Sequence, residues 1–336
     1  MTTELQGRKV ALIGGMGFIG HNLALALKSQ GTDVAVIDSL QVNNLLMFHS
    51  SSTVTNNRKL YTRMINKRLD LLREADIPVF IHDARDYHIL NRVMGEIEPQ
   101  VVVHLAAIAH AKRSNKDPYS TFDHNLRTLE NALDCARGWN VEQFIFFSSS
   151  MVYGNFQTER VDEEHPLNPI GIYGALKLGG EKLVIAYQQV FDLPYTIIRP
   201  SALYGPRCVS RRVIQIFIEN ALSGQKLRID GDGSEKLDFT YIDDLVQGVC
   251  LSIQKPEARN QVFNLTYGSS RSIADMAAVI KKHFPEVEME SVPRDHLMPF
   301  RGTMNVDKAR NLLGYDPQNP IEVGIDKYVQ WYRTLK

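Results

Sequence analysis

The sequence predicts an α/β fold: a doubly wound parallel sheet with a smaller α/β C-terminal lobe. Three observations carry that prediction. Short apolar runs recur and stop at glycine, serine or an acid; helix-periodic segments separate them; and the first run leads into a glycine-rich turn and a helix. Continuous apolar runs suit parallel strands because helices cover both faces of the sheet. At 336 residues the chain has room for two domains, or for one large domain and a lobe.

Composition narrows the partners. Lys+Arg and Asp+Glu number 38 each, so the formal net charge is zero and no basic bias toward nucleic acid exists. Cys135, Cys208 and Cys250 are scattered and odd in number, which fits reduced thiols rather than a disulfide frame or a zinc knuckle. The polar start lacks a signal-peptide pattern, and no apolar run approaches membrane-spanning length. A cytoplasmic protein with no membrane or nucleic-acid partner is the expectation.

Taken in order, Lys9 to Ile13 is the first strand, and Gly14-Gly15-Met16-Gly17-Phe18-Ile19-Gly20 opens a helix continuing to Lys28. Glycines let the backbone turn sharply and approach a phosphate, and the amides around Phe18 and Ile19 at the helix start favour an anion. The spacing of Gly14, Gly17 and Gly20 is GxxGxxG, not GxGxxG. It indicates a Rossmann-type nucleotide site, the alternative being glycines that serve packing alone. The second strand, Asp33 to Ile37, ends in Asp38. An acid there accepts from both ribose hydroxyls and repels a 2′-phosphate, favouring NAD over NADP, unless it only caps the next turn.

A long connection follows. Residues 41–57 read as a polar loop, and 58–75 as an amphipathic helix with Leu60, Met64, Leu69 and Leu72 at helical spacing. This insertion either shapes the ligand site, makes an oligomer contact, or decorates the surface. The third strand, Pro78 to His82, delivers Asp83 and Ala84, with Asp83 suited to an adenine amino group. The fourth, Pro99 to His104, delivers Leu105, Ala106 and Ala107, whose small side chains let backbone pass close to a cofactor. Asn125 falls in the helix beyond. His104, His110 and His124 lack ligand spacing, so core or surface roles and no metal are expected.

The fifth strand, Gln143 to Phe147, runs into Ser148, Ser149 and Ser150. Ligands of a parallel sheet lie at the carboxyl ends of its strands, where these hydroxyls fall. Further on, Tyr173 and Lys177 are four residues apart and share a helical face. A phenol beside an ammonium ionises more easily and becomes a usable base near neutral pH. The spacing is common by itself; its place after the glycine turn, Asp38 and the serines gives it meaning.

Together Gly14-x-x-Gly17-x-x-Gly20, Asp38, Asp83, Leu105-Ala106-Ala107, Ser148-Ser149-Ser150-x-Val152-Tyr153-Gly154, Tyr173-x-x-x-Lys177, Arg199-Pro200 with Tyr204-Gly205-Pro206, and Asp238-Phe239-Thr240-Tyr241-Ile242-Asp243-Asp244 form a specific set. Over nearly its whole length the chain resembles the extended short-chain dehydrogenase/reductase superfamily. The branch is that of NAD-dependent sugar-nucleotide epimerases and dehydratases, the UDP-glucose 4-epimerases being most similar. The resemblance implies NAD as cofactor, a nucleotide-diphosphate sugar as substrate, and a homodimer through the helices after the fourth and fifth strands. It implies catalysis by Ser149, Tyr173 and Lys177, with Ser150 as the second choice of hydroxyl. Cofactor contacts are expected from Gly14, Gly17, Phe18, Ile19, Gly20, Asp38, Asp83 and Ala84. Leu105, Ala106, Ala107, Asn125, Ser148, Tyr173, Lys177 and Pro200 complete that set.

The second half departs from the family in two places. Ala202 replaces a usual asparagine, and Leu237 replaces an arginine that holds phosphate. A different cationic clamp is expected from Arg207, Arg211, Arg212 and Arg301, because guanidinium forks suit a diphosphate. Ser149, Ser150, Tyr173 and Ser201 are the remaining expected substrate contacts. The expected domains are 1–198, rejoined by 238–255, and a substrate lobe of 199–237 and 256–336.

The reaction is read from what the family's dehydratases and decarboxylases carry. Dehydratases place an Asp-Glu pair directly after the active hydroxyl, and decarboxylases a glutamate at the second of those positions. This chain has Ser150 and Met151 there. What remains is 4-epimerisation through a transient 4-keto sugar, with NAD regenerated each cycle. The alternatives are an oxidoreductase or epimerase acting at another carbon, and a catalytically silent NAD sensor or scaffold. Retention of both Tyr173 and Lys177 speaks against the silent reading.

Overall fold

The computed structural model describes residues 5–50 and 57–335. Seven strands form one parallel sheet: β1 (Lys9–Ile13), β2 (Asp33–Asp38), β3 (Val79–Ile81), β4 (Val101–His104), β5 (Gln143–Phe147), β6 (Tyr195–Arg199) and β7 (Gln261–Asn264). Their spatial order is β7-β6-β5-β4-β1-β2-β3. The order reverses beside β1, where Ile13 registers with Ile37 of β2 on one side and His104 of β4 on the other. A crevice at the carboxyl ends of the strands follows from that reversal.

Alternate strand residues feed two cores. Val10, Leu12, Val34, Val36, Val101 and Val103 pack on one face, while Ala11, Ile13, Ile37, Val102, Phe144 and Phe146 pack on the other. Both faces are therefore apolar, as the uninterrupted runs require. β3 and β4 start after Pro78 and Pro99, later than expected, since proline contributes no amide to a ladder.

Three features go beyond the sequence reading. β7 pairs with β6 from Gln261↔Thr196 to Asn264↔Arg199, so a stretch expected in the C-terminal lobe completes the main sheet. Its Phe263 is fully buried, which explains the edge position. Within the expected loop 41–57, Leu45–Ser50 is a short helix, and 51–56 lie outside the described residues. The insertion helix α2 (Arg58–Glu74) is not a surface decoration. Its Tyr61, Met64, Ile65 and Leu72 share a core with Leu23 and Leu27 of α1 (Phe18–Ser29). Glu219 accepts hydrogen bonds from Tyr61 Oη at 2.6 Å, Tyr332 Oη at 2.7 Å and Gln215 Nε2 at 2.9 Å, joining the insertion to the second half.

Helix α3 (Gly171–Phe191) carries the tyrosine and lysine across the sheet. Glu181 fixes it there, accepting from Arg199 Nε at 2.9 Å and Nη2 at 2.7 Å, and from the Ser148 hydroxyl. Arg199 also donates to Tyr153 Oη at 2.9 Å and to the Glu163 carbonyl at 3.0 Å. Short strand pairs build the lobe: 203–204 with 240–241, 227–230 with 289–292, 236–237 with 271–272, and 160–161 with 303–304. No helix among the described residues is long and apolar enough to cross a membrane.

The Glu181 and Arg199 side chains are 2% and 4% exposed, so removing one charge strands the other in the interior. Glu181→Gln is expected to lower unfolding free energy by about 3–5 kcal/mol in a urea titration. A loss below about 1 kcal/mol, the range of an exposed pair, would contradict this account.

Candidate active site

The glycine turn is built by exclusion. Gly14 has φ +82°, and a Cβ there would meet the Ala106 amide nitrogen at 2.5 Å. At Gly20 a Cβ would meet Gly15 Cα at 2.5 Å, so the start of α1 packs directly on the turn. At Gly17 it would meet only the Gly14 carbonyl, at 3.2 Å. Gly17 caps α1 without any side-chain hydrogen bond, and the first turn holds no acid. The first amides of α1 thus face a cleft lined by Gly17, Phe18 and Ile19, with the positive end of the helix dipole behind them.

Asp38, Asp83, Ala84, Leu105, Ala106 and Ala107 line the same cleft, as expected. Asp38 accepts from the Met16 amide at 3.0 Å and the Leu40 amide at 2.7 Å, and burial pushes its carboxyl up from the ordinary value. Asp83 is already engaged, pairing with Arg85 at 2.6 Å while Arg85 also holds Asp123 at 2.6 Å. Asn125, Ser148 and Pro200, also expected at the cofactor, make contacts within the protein. Asn125 lies in a π-helical turn and accepts from the Ile108 amide at 2.7 Å, pinning the loop behind the cleft. Ser148 turns to Glu181, and the Pro200 carbonyl accepts from the Ser150 amide at 2.9 Å. The Ser150 hydroxyl is 3.3 Å from that of Ser201, so these two serines meet each other.

Ser149 caps the turn Ser150–Val152, accepting from the Met151 amide at 3.2 Å, and its side chain is near enough to Tyr173 to act on the phenol. Burial raises the Tyr173 phenol above its usual value; the charge of Arg212 and the side chain of Ser149 oppose that. Lys177 Nζ donates to the Phe147 carbonyl at 2.6 Å and lies 4.9 Å over the Phe146 ring. Burial lowers its pKa to about 8, with Glu181 one helical turn on pulling it back up. The phenol thus lies within reach of a second cation, Arg212, outside the four-residue pair with Lys177.

Of the four expected clamp arginines, the structure groups two. Arg212 lines the end of the cleft and donates to the Ala109 carbonyl. Arg301 feels its charge, together with that of Arg294, which sequence reasoning missed. Glu235 is the one carboxylate paired with this cluster among the described residues, 3.9 Å from Arg301 Nη2 and 3.6 Å from Arg294 Nε. The Nε atoms of both arginines are buried without a hydrogen-bond partner. Arg207 turns away instead, donating to His21 Nε2 at 2.9 Å and Asn22 Oδ1 at 2.8 Å. Arg211 binds Gln215 through its backbone amide. Leu237 is buried, so the lobe has apolar packing where the family's arginine is expected.

The histidines behave as side chains of the scaffold. His104 is buried between Phe144 and Phe146 beside Thr128, and burial lowers its pKa to about 3. His110 drops to about 4, again chiefly through burial. The described residues contain no cluster able to hold a metal.

A dinucleotide fits this cleft: the Gly14 cradle excludes a side chain, the start of α1 is uncapped, and Arg68, whose buried Nε has no hydrogen-bond partner, lines the same space. Residues 10–266 match the NAD dependent epimerase/dehydratase family. The UDP-glucose 4-epimerase of Mycolicibacterium smegmatis is 28% identical over 331 residues, covering 97% of this chain and 99% of that protein. The fold matches UDP-glucuronic acid 4-epimerase from Bacillus cereus, crystallised with UDP-glucuronic acid and NAD. That match has a TM-score of 0.85 at 25% identity, over 97% of this chain and 99% of the other. UDP-glucose 4-epimerase from Thermotoga maritima with UDP-glucose gives a TM-score of 0.83 at 26% identity, over 97% and 99%. The chain belongs to the NAD dependent epimerase/dehydratase family, and NAD is its cofactor.

The Lys177 shift sets a pH limit. Its pKa is lowered to about 8, so the side chain is cationic below that pH and neutral above it. In a pH–rate series, kcat/KM is expected to fall above about pH 8, because the free enzyme's groups govern that ratio. Lys177→Arg should extend the plateau upward. A wild-type profile flat through pH 9.5 would rule this assignment out.

Proposed function

We propose that the chain is a nucleotide-sugar 4-epimerase acting on a uridine-diphosphate hexose. The observation that carries this reading is the buried, neighbouring pair of Ser149 and Tyr173, with the buried, non-acidic Ser150 and Met151 directly after Ser149. Tyr173 receives the proton of the sugar's C4 hydroxyl as C4 becomes a ketone. Ser149 holds the same oxygen through its hydroxyl, and Lys177 carries the positive charge at the carboxyl end of β5. NAD, when bound in the cleft, would supply the hydride acceptor for C4 and the donor for its return. Elimination of water from the ketone would need a further acid and base, and Met151 offers neither. The ketone is therefore reduced again, on its opposite face, with Tyr173 returning the proton. Atoms balance over the cycle: one proton and one hydride leave and both come back.

Turning the sugar between those half-reactions needs an anchor outside the ring. Arg212, Arg294 and Arg301, with Glu235 the one paired carboxylate among the described residues, offer an excess of guanidinium donors for the diphosphate. The ligands of the Bacillus cereus and Thermotoga maritima relatives, both UDP-sugars, favour uridine as the base.

Purified protein incubated with UDP-glucose, UDP-galactose, UDP-glucuronate and dTDP-glucose is expected to interconvert C4 epimers of at least one UDP-sugar. Tyr173→Phe should reduce that turnover by about 10²–10⁴-fold, the worth of a general acid–base. Products that are only dehydrated, decarboxylated or net-oxidised would sink the proposal.

A further inference from the structure

We propose that Arg68, supplied by the insertion helix, anchors the diphosphate of NAD against the amino end of α1. The residue lies on α2 and is 1% exposed, yet it lines the cofactor cleft with Gly14, Gly17 and Asp38. Two of its nitrogens are committed to backbone. Nη1 donates to the Met16 carbonyl inside the glycine turn at 3.1 Å, and Nη2 to the Arg207 carbonyl. The third, Nε, is buried with no hydrogen-bond partner. A guanidinium presents its donors in one rigid plane, so fixing Nη1 and Nη2 also fixes the direction of Nε.

No carboxylate forms an ion pair with Arg68 among the described residues. Asp38 acts on it electrostatically, but both Asp38 oxygens already accept backbone amides. Arg207 adds a like charge nearby. Burial depresses the pKa of Arg68 only to about 10, so it is cationic at neutral pH. The result is a fixed buried cation beside an uncapped helix start, in a cleft whose ligand carries two negative phosphates. Guanidinium and helix amides are both phosphate receptors, and an anion between them satisfies each.

The placement gives the insertion a task. By holding the carbonyls of Met16 and Arg207 together, Arg68 joins the glycine turn to the segment entering the substrate lobe. The inference uses NAD as cofactor and holds whichever sugar is the substrate. A tie between two carbonyls, with no ligand contact, is the competing account.

The test measures binding, not turnover. Full-length wild type, Arg68→Gln and Arg68→Lys, freed of cofactor, are titrated with NAD, ADP-ribose and adenosine by calorimetry, with adenosine read by competition. Melting curves without ligand run alongside. Arg68→Gln is expected to weaken NAD and ADP-ribose alike by about 10- to 100-fold, the worth of a charge-assisted hydrogen bond, and to leave adenosine unchanged. Arg68→Lys, which keeps charge but loses the fork, should fall between. If Arg68→Gln does not fold, the Lys variant decides by the same comparison. Unchanged NAD and ADP-ribose affinity would overturn the proposal, whether or not the melting temperature drops. Equal weakening of adenosine would overturn it too, by moving the contact from diphosphate to nucleoside.

Discussion

Glu181 is the buried carboxylate around which the catalytic end of the sheet is arranged. It lies four residues beyond Lys177 and eight beyond Tyr173, on the face of α3 turned to the strands. From there it holds Ser148 at the end of β5 and the Nε and Nη2 of Arg199 at the end of β6. Arg199 passes the constraint on through Tyr153, whose hydroxyl donates to Asn264 of β7 at 2.8 Å. One buried charge network thus registers the helix that carries Tyr173 and Lys177 against the ends of β5, β6 and β7. Such a network adds little net stability over apolar packing, but a half-broken one is costly, which makes the register close to all-or-none.

That geometry has an electrical consequence. Burial disfavours the ionised form of both Tyr173 and Lys177, raising one and lowering the other. The counter-charges come from outside the pair: Glu181 supports the ammonium and Arg212 the phenolate. Arg212 also acts on Arg301, as Arg294 does, so the Tyr173 phenol and the arginine cluster share one neighbouring cation.

Much of this was legible in the sequence where the signal is local. The apolar runs of β1, β2 and β5 ended at the predicted residues, and the glycine turn stood between strand and helix as expected. Tyr173 and Ser149 were singled out from spacing and family pattern, and the structure buries them near each other. Contacts between distant segments left no such trace. Arg294 has no periodic context and acquires meaning only through Glu235 and Arg301. Arg68 reads as one more polar residue of an amphipathic helix, and only packing turns it inward. Arg207 misled for the opposite reason: it follows the family's Tyr-Gly-Pro, but at φ +63° its side chain turns to α1.

The central claim is that one hydride leaves C4 and returns to it within a single closed site. A UDP-hexose carrying deuterium at C4, turned over in ordinary water and followed by mass spectrometry, tests this directly. The account predicts that the epimerised product keeps its deuterium at C4 through many turnovers. Loss of the label to solvent at the rate of epimerisation would contradict it, because the bond would then break by proton removal rather than hydride transfer.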